Sequence, residues 1–199
     1  MVKNVNAHRK TLAVDFTILA KMVQPMNQSN EDQQHHHSDL DTVRYGIITV
    51  SSSRNIDDDP SGDLLEEAIR SAGHAVEYRS LLSDDEGDIR TEVETVLKQK
   101  SIDCLISTGG TGVTPDDVTI EAISPLFEKA LPGFGELFRQ LSYDDIGVRV
   151  VGTRAVGGIV RETPVFCLPG STNAVELAIK EIILPVVPHV AGLANHTHQ

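Results

Sequence analysis

The sequence predicts an α/β domain built on a mostly parallel sheet with helices on both faces. Three observations predict it. From residue 42 onward, short β-rich runs alternate with longer runs of helical period. The β runs are continuously apolar, as strands covered on both faces are. Proline and glycine stand where the helical runs must start and stop.

The elements follow in order. Val43 to Val50 (VRYGIITV) is a β-rich run and reads as the first strand. Pro60 to Ala72 sets Leu64, Leu65, Ala68, Ile69 and Ala72 on one helical face, with Pro60 suited to a first turn and Gly73 to a stop. His74 to Leu82 is a second strand. Asp88 to Lys100 is helical, with Ile89, Val93, Val96 and Leu97 on one face. Ile102 to Ser107 is a short buried strand. Two helical stretches follow, Asp117 to Phe127 and Gly133 to Tyr143, separated by Leu131-Pro132-Gly133. Pro164 to Leu168 is a further strand and Thr172 to Ile183 a further helix. In this pattern the crossovers are right-handed, and ligands bind beyond the carboxyl ends of the strands.

Residues 1–41 are read as an N-terminal extension outside the domain, which occupies residues 42–199. Within the extension, Leu12, Phe16, Leu19 and Val23 allow a short amphipathic helix that Pro25 would end. Residues 26–41 are polar and without hydrophobic period, which reads as a flexible segment. His35, His36 and His37 lie in it and read as solvated rather than as a metal site.

Charge and composition exclude several classes. The chain has 199 residues, 17 basic and 29 acidic, for a formal charge of −12. Residues 1–41 hold four basic and five acidic groups, so the acidity belongs to the domain. Nucleic acid and anionic membranes both favour a basic face, so neither is expected as a partner. No apolar stretch approaches the roughly 18 residues of a membrane span, and no secretion signal is recognised at the N-terminus. Cys104 and Cys167 are too few for a disulfide framework or a structural zinc site, and read as reduced buried thiols of a cytoplasmic protein.

Chemistry-bearing residues follow each predicted strand. After the first come Ser51-Ser52-Ser53-Arg54 and Asp57-Asp58-Asp59-Pro60-Ser61-Gly62; after the second, Ser83-Asp84-Asp85. After the third come Thr108-Gly109-Gly110-Thr111-Gly112 and Asp116-Asp117; after the fourth, Pro169-Gly170-Ser171-Thr172. Three glycines among five residues let backbone amides approach an anion, and two threonines add hydroxyls. The loop is neither a Walker P-loop nor G-x-G-x-x-G. Asp84 and Asp117, brought to the same edge, could hold Mg²⁺ against phosphate oxygens. Helix capping is the structural alternative for each, and Asp85 and Asp116 are adjacent candidates. Ser171 and Thr172 stand at a helix start, where free amides bind anions and where Ser171 could simply cap. Arg54 could pair with a second anion. Glu136 reads as a surface charge; Phe134, Leu137 and Phe138 read as core or subunit contacts.

ITVSSSR, DDDPSG, STGGTGVTPDDVT, LPGFGELFRQLS and LPGSTNAVELAI together resemble the MoaB/Mog family of molybdenum cofactor biosynthesis proteins, over residues 42–190. The resemblance implies a three-layer α/β/α fold, assembled into a homotrimer or hexamer. It implies Mg-ATP-dependent adenylylation of molybdopterin, giving AMP–molybdopterin and pyrophosphate. The product is then a substrate for a MoeA-like metal-insertion protein, at which step molybdenum or tungsten is chosen. Carried over residue by residue, Thr108, Gly109, Gly110, Thr111 and Gly112 correspond to the ATP phosphate loop. Asp84 and Asp117 correspond to the catalytic, metal-holding acids. Ser52, Arg54, Gly170, Ser171 and Thr172 correspond to molybdopterin contacts. The family often carries Arg-Asp where this chain has Asp116-Asp117, which implies weaker contacts to ATP. The alternatives are a noncatalytic molybdopterin-binding or scaffold protein of the same pathway, and a related domain of competence-damage-inducible proteins or MoeA.

Overall fold

The computed structural model describes residues 39–53, 56, 58–98 and 102–195. The expected N-terminal helix, His35–His37 and Arg54 lie outside the described residues. Strand β1 (Arg44–Val50) is followed by helix α1 (Pro60–Ser71), β2 (Ala75–Leu82), α2 (Glu86–Lys98) and β3 (Cys104–Thr108). A short helix α3 (Thr119–Ile123) runs into a 3₁₀ turn and the two-residue strand β4 (Lys129–Ala130). Then come α4 (Pro132–Ile146), a 3₁₀ turn at Gly147–Gly152, β5 (Val156–Val160) and β6 (Thr163–Leu168). The last described elements are α5 (Thr172–Ala178), a π turn at Ile179–Ile183 and α6 (Leu184–Ala194).

The six strands form one sheet in the order β2-β1-β3-β6-β5-β4. β1 pairs in parallel with β2 and β3, and β3 pairs in parallel with β6. β5 and β4 add antiparallel pairs at the far edge, which the sequence did not announce. Their physical signals are weak. A two-residue hairpin, Arg161-Glu162, joins β5 to β6 with both residues at positive φ, 48° and 64°. Such turns favour Asn-Gly or Asp-Gly, so Arg-Glu carries no hairpin signature. β5 itself contains Gly157 and Gly158, which reads against a strand. A side chain at position 158 would run into the Phe127 ring, so close packing demands glycine there.

Period-two alternation divides the core into two layers. Tyr45, Ile47, Cys104, Ile106, Phe166 and Leu168 face α1, α4, α5 and α6. Ile48, Val50, Leu105, Val165 and Cys167 face α2 and α3. The sheet is thus covered on both faces, and both cysteines are fully buried within it. Burial pushes the Cys167 thiol up to about 12.

The last helical region differs from the sequence expectation. It continues past Ile183 to Ala194 and forms a 23-residue helical span apolar enough to cross a membrane by length and composition. That corrects the expectation of no such stretch. Its apolar stripe, Val175, Ala178, Ile179, Ile182, Ile183, Val187 and Ala191, is packed into the core. Glu176, Lys180 and Glu181 lie on the exposed side. This is the pattern of a core helix.

Candidate functional site

Because β1, β2, β3 and β6 run in parallel, their carboxyl ends share one edge. There Ser51–Ser53, Asp84, Gly109–Gly112, Asp116, Asp117 and Pro169–Ser171 line one cleft of about 680 Å³. The loops are locked together by backbone and hydroxyl contacts. The Gly109 amide donates to the Leu168 carbonyl at 3.0 Å. Thr119 Oγ1 donates to the Gly109 carbonyl at 2.9 Å, and Ser61 Oγ donates to the Gly170 carbonyl at 2.9 Å. Gly109 adopts φ 95°, and a side chain on it would collide with the Val50 carbonyl. The turn after β3 therefore requires glycine.

The two predicted acids flank this loop. Asp84 Oδ2 accepts from the Ser52 amide at 2.8 Å and from Ser52 Oγ at 2.6 Å. Its Oδ1 lies against Gly110: a methyl placed there would be 2.8 Å away. Asp117 Oδ2 accepts from the Thr114 amide at 2.9 Å and from Thr114 Oγ1 at 2.6 Å, and a methyl on Gly112 would lie 2.6 Å from it. The capping alternative falls to the neighbour in one case. Asp85 Oδ1 accepts from the Asp88 amide at 2.9 Å at the start of α2, and Asp85 does not line the cleft. Asp117 does not cap α3, whose N-cap is Val118 with no side-chain bond. Asp116 lines the cleft beside it.

Other predicted residues divide. Ser52, Gly109, Gly110, Thr111, Gly112, Gly170 and Ser171 line the cleft. Ser171 also caps α5, accepting from the Ala174 amide at 3.4 Å, so the capping and ligand-facing readings coexist. Thr108 does not line the cleft; it is fully buried, and its hydroxyl donates to the Pro169 carbonyl at 3.2 Å. Thr172 lines a neighbouring cavity of about 480 Å³ instead. That cavity runs between α4 and the start of α5, includes Phe138 and Leu177, and shares Thr153, Pro169 and Ser171 with the main cleft.

Gly152, Thr153 and Arg154 line the cleft and were not expected from sequence; Arg154 is the one that carries charge. Arg154 is the only basic side chain among the described residues lining the cleft. Its Nη1 donates to the Gly112 carbonyl at 2.8 Å and its Nη2 pairs with Glu121. It does not follow a strand: β5 is antiparallel and brings its amino end to this edge. Arg154 just precedes β5, so only knowledge of the strand's direction could have found it.

The Asp117 carboxyl is held below its ordinary range, chiefly by the Thr114 hydroxyl. Partial burial opposes this, while the Thr114 and Gly112 amides and the Arg154 charge reinforce it. Stability from this group is present above the usual carboxylate value of about 3.9 and lost as pH falls through the lower native value. Thr114→Val is expected to raise the Asp117 pKa, read directly by carboxyl-carbon NMR titration. An unchanged titration would remove the hydroxyl from its assigned place.

Among the described residues, no three side chains of metal-ligating type converge. A magnesium ion does not need three: it is commonly held by one or two carboxylates, with water and phosphate oxygens completing its shell. Asp84 and Asp117, each with Oδ2 engaged by backbone and hydroxyl donors, fit that donor set.

The chain matches the family model described as a probable molybdopterin binding domain over residues 46–189. Sheet, loops and cleft therefore define a domain of the molybdopterin-binding α/β class. It is 42% identical over 159 residues to "Molybdenum cofactor biosynthesis protein B" of Bacillus subtilis, covering 79% of this chain and 94% of the relative. A solved structure of a Molybdenum cofactor biosynthesis protein B superposes with a TM-score of 0.76 at 41% identity, covering 78% of this chain and 98% of the other. The tungsten cofactor synthesizing protein MoaB of Pyrococcus furiosus gives 0.71 at 38% identity, covering 79% and 99%. The chain belongs to the MoaB/Mog family of molybdenum cofactor biosynthesis proteins.

Proposed function

We propose that this protein adenylylates molybdopterin with Mg-ATP, giving AMP–molybdopterin and pyrophosphate. The observation that carries the reading is the pair of acids, Asp84 and Asp117, set against opposite ends of one glycine loop in a cleft shared with the Pro169–Ser171 turn. The Gly110 and Thr111 amides would cradle the nucleotide phosphates, with Gly109 and Gly112 shaping the turn that presents them. Ser52, Ser171 and the α5 amides would receive the pterin phosphate. The neighbouring cavity beside Thr172, with its apolar walls, would accommodate the heterocycle. Asp84 and Asp117 would hold Mg²⁺, and the ion would supply charge neutralisation for the phosphates.

In the step itself, a terminal phosphate oxygen of molybdopterin attacks the α-phosphorus of ATP. A new P–O–P bond forms as the bond to the β-phosphate bridging oxygen breaks, and that oxygen leaves with pyrophosphate. No side-chain nucleophile is needed, so positioning and charge neutralisation carry the catalysis. Both cysteines, buried in the sheet, stay outside it. Leu137, Tyr143, Ile146, Val148 and Val151 are exposed along α4 and the turn after it, which supports assembly into a homo-oligomer. A MoeA-like metal-insertion protein would receive the adenylylated pterin.

Incubation of the full chain with molybdopterin, ATP and Mg²⁺ is expected to yield AMP–molybdopterin, detected by mass, with one pyrophosphate per product. Molybdopterin binding without any adduct would instead identify a noncatalytic carrier.

A further inference from the structure

We propose that Arg154 is an anion-binding side chain of the cleft and that Glu121 holds it until a phosphorylated ligand arrives. This rests on the reading that nucleotide phosphates occupy the glycine-loop cleft, and it adds a residue and an exchange of partners to that reading. The charge balance motivates it. Asp84, Asp116 and Asp117 all line the cleft, and Arg154 is its only basic side chain among the described residues. Even with Mg²⁺ between two of these acids, a polyphosphate entering so acidic a site is held better by a charge-assisted bond from a protein cation than by amides alone.

The geometry supplies one that is placed but not fully committed. Nη1 is fixed to the Gly112 carbonyl at 2.8 Å, which ties the guanidinium to the phosphate loop. Nη2 is paired with Glu121, in the first turn of α3. The Arg154 side chain is 31% exposed and that of Glu121 48%. An ion pair this open to water is weak and readily exchanged. A guanidinium has five N–H donors in a planar fork, so it can keep the Gly112 carbonyl while turning its remaining donors toward a phosphate. Glu121 and the ligand would then compete for the same cation. Asp117 lies close enough to Arg154 for the positive charge to contribute to its lowered pKa. The exchange would therefore take place beside the acid assigned to the metal.

The competition makes a test in which two variants move in opposite directions. Binding of Mg-ATP and of pyrophosphate to the full chain would be measured by calorimetry for wild type, Arg154→Ala, Arg154→Lys and Glu121→Gln. Loss of a charged hydrogen-bonding group is expected to weaken binding about 10- to 100-fold in Arg154→Ala. Arg154→Lys is expected to recover only part of that, since it keeps charge but loses the fork. Glu121→Gln is expected to bind both probes more tightly than wild type, by a few fold. Were the pair only a structural brace for the loop, Glu121→Gln would weaken binding as Arg154→Ala does, and the proposal would be overturned. Unchanged binding in both arginine variants would overturn it as well. Should Arg154→Ala not fold, the lysine and glutamine variants still decide by their opposite signs. A wild-type chain that binds neither probe would remove the underlying nucleotide reading, a result distinct from any produced by the variants alone.

Discussion

Asp84→Asn and Asp117→Asn are each expected to slow AMP–molybdopterin formation by about 10²- to 10³-fold, the scale associated with losing one preorganised charge-stabilising group. The asparagine variants are the sharp choice because they keep the local structure. At Asp84, the bonds from the Ser52 amide and hydroxyl are both accepted by Oδ2, and an amide carbonyl can accept the same pair. At Asp117 the same holds for the amide and hydroxyl of Thr114. Only the negative charge is lost, and with it most of the attraction that the proposed magnesium ion would feel. Melting temperatures should therefore stay close to wild type while turnover collapses. Variants that form the adduct at the wild-type rate would show that neither acid takes part in the chemistry.

Asp59→Ala is expected to cost about 3–5 kcal/mol of folding stability, the usual range for breaking a buried ion pair from one side. Asp59 is 0% exposed. Its carboxylate accepts from Thr49 Oγ1 at 2.7 Å, from the Gly62 amide at 3.0 Å as the N-cap of α1, and from Arg79 Nη2 at 3.0 Å. Truncation strands the Thr49 hydroxyl and the Gly62 amide in a site where water cannot replace the carboxylate, and leaves Arg79 with Asp63 and Glu66 alone. Arg79 also pairs with Asp63 at 2.7 Å, but that side chain is 66% exposed. Asp63→Ala should consequently cost no more than about 1 kcal/mol. Urea unfolding of the two variants makes the comparison, and equal losses would show that burial is not what gives Asp59 its weight. The damage should reach the cleft, because the first turn of α1 carries Ser61, whose hydroxyl holds the Gly170 carbonyl.

The contrast between these acids shows how unevenly the molecule can be read from its sequence. Asp59 and Asp84 both stand after a strand, each beside serines, and composition alone ranks them alike. Burial separates them: one is sealed under α1 with Arg79, the other opens onto the glycine loop. Asp84 and Asp85 are neighbours on the chain, yet hydrogen-bond geometry gives the cap to one and the cleft to the other. Thr108 belongs to the same glycine-rich run as Thr111, but strand alternation turns it inward toward Pro169. Contiguity in sequence did not carry over into contiguity of function, because each successive residue at a strand end changes face.

The hydrophobic period and the turn residues by themselves determined the parallel half of the sheet, the helices covering it and the edge where ligand-facing loops must gather. Those features follow from local chemistry: β-branched runs, one-sided helices, and glycine or proline at the breaks. Tertiary structure alone decided the antiparallel edge, the length of the final helix and the arrival of Arg154. The direction of β5 depends on a hairpin whose two residues lack the usual turn chemistry, and on a Phe127 ring packed over Gly158. Contacts distant in sequence hold that strand in place, so the cation it delivers could be seen only after the chain had folded.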